Sequence, residues 1–239
     1  MRLKIDFQFT ENSIPLDYRR KFLSLIKHGL EKVNPQLFDE LFLSNKQKDY
    51  TFAVFLRNPI FKKEEIELGS TEGVLNFSTG NAELGVNFYN AFCEIRNKNL
   101  NFYKENQIIL KNIQILSVPD IRNEQVYFKL LSPLIIKSHN RETYKDRFYY
   151  FADTEFEQTL KNNLFTKLRK RYGDYVEKDI QLIQFDTKQM KKTVVEVYGM
   201  KVVCSIGILG VSGKPYLLNE MLQNGIGSNS GSGFGFVEI

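Results

Sequence analysis

Histidine and cysteine are scarce: the 239-residue chain holds two of each, His28 and His139, Cys93 and Cys204, all far apart in sequence. No pair has the short spacing of a zinc-ligand set, so no metal site and no cofactor is expected, and any chemistry is expected to be metal-independent. Both cysteines sit in apolar contexts, Ala91-Phe92-Cys93 and Val202-Val203-Cys204, and read as small buried hydrophobes in a reducing compartment. No stretch approaches the roughly 18 consecutive apolar residues of a membrane span. The N-terminus opens directly on strand-like alternation without a signal peptide, so a cytoplasmic protein with no membrane partner is expected. A glycine-rich segment near the C-terminus lacks the Gly-Lys-Ser/Thr of a P-loop and follows a helical pattern instead of preceding one, which excludes a nucleoside-triphosphate site of that kind.

That segment is nonetheless the strongest signal present. Glycines 225, 227, 231, 233 and 235 place five of the chain's 15 glycines in eleven positions, and the apolar residues Phe234, Phe236, Val237 and Ile239 follow at once. Glycine permits positive φ and close backbone approach, and consecutive unobstructed N–H groups form a cradle for phosphate oxygens. A net charge of +5 and a pI near 9.0 favour a polyanionic partner.

The order of elements indicates an α+β protein. Leu3, Ile5 and Phe7 alternate with polar residues as in a half-buried strand, and Phe22, Leu25, Ile26, Leu30 and Val33 form a helical stripe ended by Asn34-Pro35. A strand over 50–57, a hairpin over 65–69 and 73–78, a helix over 80–92 and a strand over 107–117 complete a β-α-β-β-α-β plan, the ferredoxin-like arrangement. Pro119 and the polar residues 120–124 mark a boundary between domains 1–119 and 120–239. The second half reads as a more decorated copy: a strand over 125–131, a loop over 133–144, a helix over 154–171, strands over 179–186 and 193–211, a short helix after Pro215, and a terminal strand. No sequence repeat is visible, so two tandem ferredoxin-like domains with antiparallel sheets are inferred from element order.

The ending Gly225-Ile-Gly-Ser-Asn-Ser-Gly-Ser-Gly-Phe-Gly-Phe-Val-Glu-Ile239 resembles the C-terminal glycine-rich loop of the CRISPR-associated endoribonucleases that cut precursor CRISPR RNA within its repeats, members of the repeat-associated RNA-binding superfamily. The opening strand, the helix from Tyr18 to Asn34-Pro35 and Leu131-Ser-Pro133 fit the same resemblance, which thus spans nearly the whole chain. It implies RNA cleavage by the ribose 2′-hydroxyl, with CRISPR repeat RNA as partner, effector-complex subunits as further possible partners, and a monomer or homodimer. A non-catalytic CRISPR RNA-binding subunit with the same fold is the alternative. Two departures stand out: Ser228, Asn229 and Ser230 occupy the loop centre where relatives often carry Lys or Arg, and Phe42 stands where some relatives place a histidine.

Histidine suits proton transfer near neutral pH. His28 falls on the polar side of the first helix, in line with Ser24 and Lys32 and beside Lys27, a candidate RNA contact. The resemblance implies His28 as general acid or base and Lys48 as the charge steadying the phosphate, with Tyr18 as a lesser candidate. Without it, His28 reads as a solvated surface histidine and Lys48 as part of a solvated loop. Lys137, His139 and Arg141 alternate, so in an extended segment they face one way, towards a phosphate backbone or solvent. The remaining candidates for RNA contact are Gly225, Gly227, Ser228, Asn229, Ser230, Gly231, Gly233 and Gly235. Lys167, Arg169, Lys170 and Arg171 form the densest basic run, which complements a helix C-terminal dipole or contacts phosphate.

Overall fold

The alternation at the N-terminus becomes β1 (Arg2–Phe9), the middle strand of the first sheet, with Leu3 and Ile5 fully buried. The computed structural model describes residues 1–44, 48–140, 143–197 and 199–239. After the short β2 (Ser13–Pro15) come α1 (Tyr18–Val33) and α2 (Pro35–Phe42). Asn34 ends the first helix and starts the second, its side chain accepting from the Leu37 N–H while Pro35 takes the first turn, where no N–H is needed. Next are β3 (Thr51–Leu56), β4 (Pro59–Phe61), β5 (Glu65–Leu68), β6 (Glu72–Ser78), α3 (Ala82–Ile95), β7 (Leu100–Tyr103) and β8 (Asn106–Leu116). Asn81 caps α3 in the same way, accepting from Leu84.

The sheet runs β3-β6-β1-β8-β7. Its first four members, with α1 and α3, reproduce the ferredoxin-like order, and β7 is an addition outside β8. The helices bury Phe22, Leu25, Ile26 and Leu30 from α1 and Leu84, Phe88, Phe92 and Ile95 from α3. A Cβ on Gly29 would lie 2.7 Å from the Ala91 carbonyl oxygen, so glycine sets how closely these helices approach. The expected hairpin of 65–69 with 73–78 does not form. β5 joins β2 and β4 in a separate three-stranded sheet, whereas β6 pairs with β1 and β3. Period-2 alternation marks a strand but not its partner, and Ile66, paired opposite Ile14, is as fully buried as any residue of the main sheet.

The second half contains β9 (Gln125–Leu130), β10 (Ile136–Asn140), β11 (Lys145–Tyr149), α4 (Phe156–Tyr172), α5 (Val176–Gln181), β12 (Gln184–Val197), β13 (Met200–Ser212), α6 (Pro215–Asn224) and β14 (Val237–Glu238). Its sheet order, β12-β13-β9-β14, repeats the ferredoxin-like plan. Three readings of this half are corrected. The expected loop over 133–144 contains β10, paired antiparallel with β11. The stretch expected as a strand from 179 is helical through Gln181, because Val176, Ile180 and Ile183 bury at helical spacing. The span 193–211 is not one strand; it holds the turn of the long β12–β13 hairpin, at Gly199 with φ +77°.

By its internal contacts the chain forms two units: Met1–Val118 with Gly231–Gly233, and Pro119–Ser230 with Phe234–Ile239. No helix of the described residues is long and apolar enough to cross a membrane.

Gly235 has φ +65°, and a Cβ there would sit 1.8 Å from the Ile226 carbonyl oxygen; at Gly199 a Cβ would meet nothing within 4 Å. We expect Gly199→Ala to cost only the left-handed strain of about 1–2 kcal/mol, and Gly235→Ala to add an overpacking penalty of about 1–3 kcal/mol. Urea denaturation of the two variants checks the ranking; equal losses would contradict it.

Candidate nucleic-acid interface

One turn after another, Lys21, Ser24, Leu25 and His28 come to the same side of α1, the consequence of their three- and four-residue spacing. With Leu100, Asn101 and Phe102 of β7 they line a groove of about 350 Å³. His28 is half-buried, and among the described residues its ring has no hydrogen-bond partner. Tyr18, by contrast, is 6% exposed and belongs to the core, beneath the Arg19 guanidinium, which lies 4.7 Å from its ring centroid.

Lys48 stands in a different setting. Burial, and after it the nearby Lys27 ammonium, hold its own ammonium below the usual lysine range. Lys27 in turn lies over the Phe42 ring, 4.8 Å from its centroid. A Cβ on Gly231 would come 2.9 Å from the Lys48 Cβ and 3.4 Å from the Tyr50 ring, so glycine at this position makes room for the Lys48 side chain. The His28 groove is lined by α1 and β7, without Lys48.

The glycine segment itself is tightly packed. Gly225, Gly227, Gly233 and Gly235 all have positive φ. A Cβ on Gly227 would lie 2.5 Å from the Ile135 carbonyl oxygen, and one on Gly233 2.6 Å from the Phe52 ring. Ile226 donates to the Gly235 carbonyl at 2.9 Å, Ser228 to Ile135 at 2.8 Å and Gly235 to Pro133 at 2.9 Å, while Phe236 donates to the Ser132 Oγ at 2.9 Å. The Ser228 hydroxyl donates to the Asn163 side chain and accepts from the Lys137 N–H. Among the described residues, the N–H groups of Asn229, Ser230 and Gly231 enter no such bond.

The β10–β11 hairpin brings Lys137 and His139 together on one carboxylate: Lys137 Nζ lies 2.9 Å and His139 Nδ1 2.8 Å from the Asp146 oxygens. These two contacts hold the Asp146 carboxyl below the usual carboxylate range. Arg141 lies outside the described residues. Tyr144, at the hairpin tip, is 82% exposed.

Residues 116–239, just over half of the chain and including the whole glycine segment, match the family described as CRISPR associated protein Cas6, C-terminal. The chain belongs to this family. Solved structures share the fold over its full length. The product of a Cas6-related gene from Pyrococcus furiosus is 20% identical with a TM-score of 0.87, covering 100% of this chain and 98% of that one. A RAMP protein described as binding different RNA substrates is 20% identical with a TM-score of 0.83 over 100% and 98% of the two chains. A Cas6 product complex is 14% identical with a TM-score of 0.74 over 99% of each. No curated relative matches the sequence.

In this Cas6-family chain the basic run of α4 is largely committed to structure. Lys167 Nζ reaches the Asn224 and Gly225 carbonyls at 2.7 and 3.3 Å, closing the C-terminal end of α6. Arg171 and the Tyr172 hydroxyl both bond Glu220. Burial, and then Glu220, push the Tyr172 hydroxyl up to about 12. Sequence reasoning missed Lys21, Ser24 and Asn101 as groove residues. The spacing of Lys21 and Ser24 to His28 carried a usable signal, whereas Asn101 arrives on a strand that the ferredoxin-like plan does not contain.

Because the Asp146 pKa is lower in the folded chain than in the unfolded one, its contribution is complete above the unfolded carboxylate value and is lost as pH falls through the folded one. We expect Asp146→Asn to remove at most about 1 kcal/mol at neutral pH after solvent screening and to flatten the fall in stability below about pH 4. Denaturation at pH 7 and pH 2.5 checks this; an unchanged acid limb would contradict it.

Proposed function

We propose that the protein binds CRISPR repeat RNA and cleaves precursor CRISPR RNA within the repeat without a metal ion. The ribose 2′-hydroxyl attacks the adjoining phosphate, a 2′-O–P bond forms, the P–O5′ bond breaks, and the products carry a 2′,3′-cyclic phosphate and a 5′-hydroxyl. One proton must leave the 2′-oxygen and another must reach the 5′-oxygen, and His28 serves as general base or general acid for this transfer. Lys48, with Lys27 beside it, steadies the charge that builds on the phosphorane. The amides of Asn229, Ser230 and Gly231 hold the RNA backbone, and Lys137, His139 and Arg141 supply further RNA contacts. Tyr18 supports the helix start from within the core.

The observation that carries the catalytic reading is the setting of His28, a half-buried imidazole with no partner among the described residues, on an open groove of a Cas6-family chain. A second reading, a non-catalytic RNA-binding subunit of an effector complex, draws on one specific feature: Lys48 neighbours Lys27, which lies over Phe42, and not the groove that His28 lines.

End-labelled repeat RNA incubated with the protein in EDTA decides between the two. Cleavage gives one discrete product with a cyclic phosphate end, and a single 2′-deoxy substitution at the cut abolishes it. His28→Ala is expected to slow cleavage by about 10²–10⁴-fold while RNA affinity stays within a few-fold. An unchanged rate in His28→Ala removes the proposed mechanism, and a wild-type complex that shifts the RNA without cutting it favours the binding subunit.

A further inference from the structure

β7 is the one strand of the five-stranded sheet without a place in the β-α-β-β-α-β plan, and it supplies one wall of the His28 groove. Its pairing with β8 is irregular: Asn101 faces Gln107 and Tyr103 faces Asn106, leaving Phe102 as the extra residue. Such a bulge turns side chains away from strict alternation. That is how three consecutive residues, Leu100, Asn101 and Phe102, come to border one groove.

The lining has a definite chemistry. Leu25 and Phe102, 6% and 4% exposed, give an apolar floor. Around it stand a cation, an amide and an imidazole, those of Lys21, Asn101 and His28, none with a side-chain hydrogen bond or ion pair among the described residues. Ser24 gives its hydroxyl proton to the Arg20 carbonyl at 3.0 Å and keeps its acceptor lone pairs. Among the described residues, no carboxylate lines the groove. Its volume of about 350 Å³ is at the small end of ligand sites.

We propose that this groove holds a single nucleotide of the bound RNA, with the base on the apolar floor, its phosphate at Lys21 and its edge read by Asn101. This rests on the RNA-processing reading above. An asparagine side chain presents an N–H donor beside its carbonyl acceptor, the bidentate complement of the N7 and N6 atoms of adenine, so adenine is the preferred base. As His28 borders the same groove, the nucleotide read is one flanking the scissile phosphate.

Repeat RNAs varied one position at a time around the cut test this with wild-type protein, Asn101→Ala and Lys21→Met. Wild type should favour adenine at one flanking position by about 5- to 150-fold in kcat/KM. Asn101→Ala should erase that preference while leaving discrimination elsewhere intact, and Lys21→Met should raise KM to a similar extent for all four bases. Separately, adenosine monophosphate alone, but not uridine monophosphate, should shift the NMR signals of the Asn101 amide and the His28 ring. RNA cleavage with base preferences unaltered in Asn101→Ala, and no mononucleotide shift, overturns the groove assignment and leaves the processing function standing. A mononucleotide shift in a protein that neither binds nor cuts repeat RNA overturns the processing function and keeps the groove as a nucleotide site.

Discussion

Backbone lying directly on backbone at the C-terminus is the constraint from which the rest follows. The closing strand contributes only Val237 and Glu238 to its sheet, too little pairing to fix a segment by itself. The approach of Gly235 to Ile226 and of Gly227 to Ile135, where any side chain would collide with a carbonyl oxygen, supplies what the short strand cannot. From that anchor Phe234 enters the cluster of Ile135, Val197, Val202 and Cys204. The same anchor fixes the run from Asn229 to Gly231, and Gly231–Gly233 count among the contacts of the first unit. The glycines thus serve packing first. Among the described residues, the N–H groups that this packing leaves unbonded in the loop are the short run from Asn229 to Gly231.

Charge follows a similar economy. An excess of five positive charges suggests a polyanion partner, yet several of the cations that look most available are in use within the fold. Lys167 closes α6, Arg171 meets Glu220, and Lys137 holds Asp146. Three further cations stand at the candidate site: Lys21 on the His28 groove, Lys27 over the Phe42 ring, and Lys48 against Gly231. Burial first, and then the neighbouring Lys27, hold the Lys48 ammonium below the usual lysine range.

Much of the fold was legible because its signals are local. The stripe of Phe22, Ile26 and Leu30, the alternation of Leu3, Ile5 and Phe7, and the Asn34-Pro35 stop each report on a few neighbouring residues, and the structure uses them as expected. Partner choice was not legible. The residues 65–68 have a strand pattern, but which strand they join depends on burial across the chain, and Ile180 and Ile183 fit the strand expected over 179–186 until their burial at helical spacing with Val176 is seen. The site divided the same way: the position of His28 on the polar face of α1 was readable from spacing, whereas Asn101 reached the groove through a bulge on an added edge strand, which no local motif announces.

The central claim, that of the proposed function, is that repeat RNA contacts the amides of residues 229–231 and the α1 groove. Photocrosslinking with repeat RNA carrying 4-thiouridine at successive positions, read out by mass spectrometry of the attached peptides, addresses it most directly. The account predicts crosslinks both to the peptide containing residues 228–231 and to that containing residues 21–28. Crosslinks that avoid both peptides under conditions of saturated binding would contradict it.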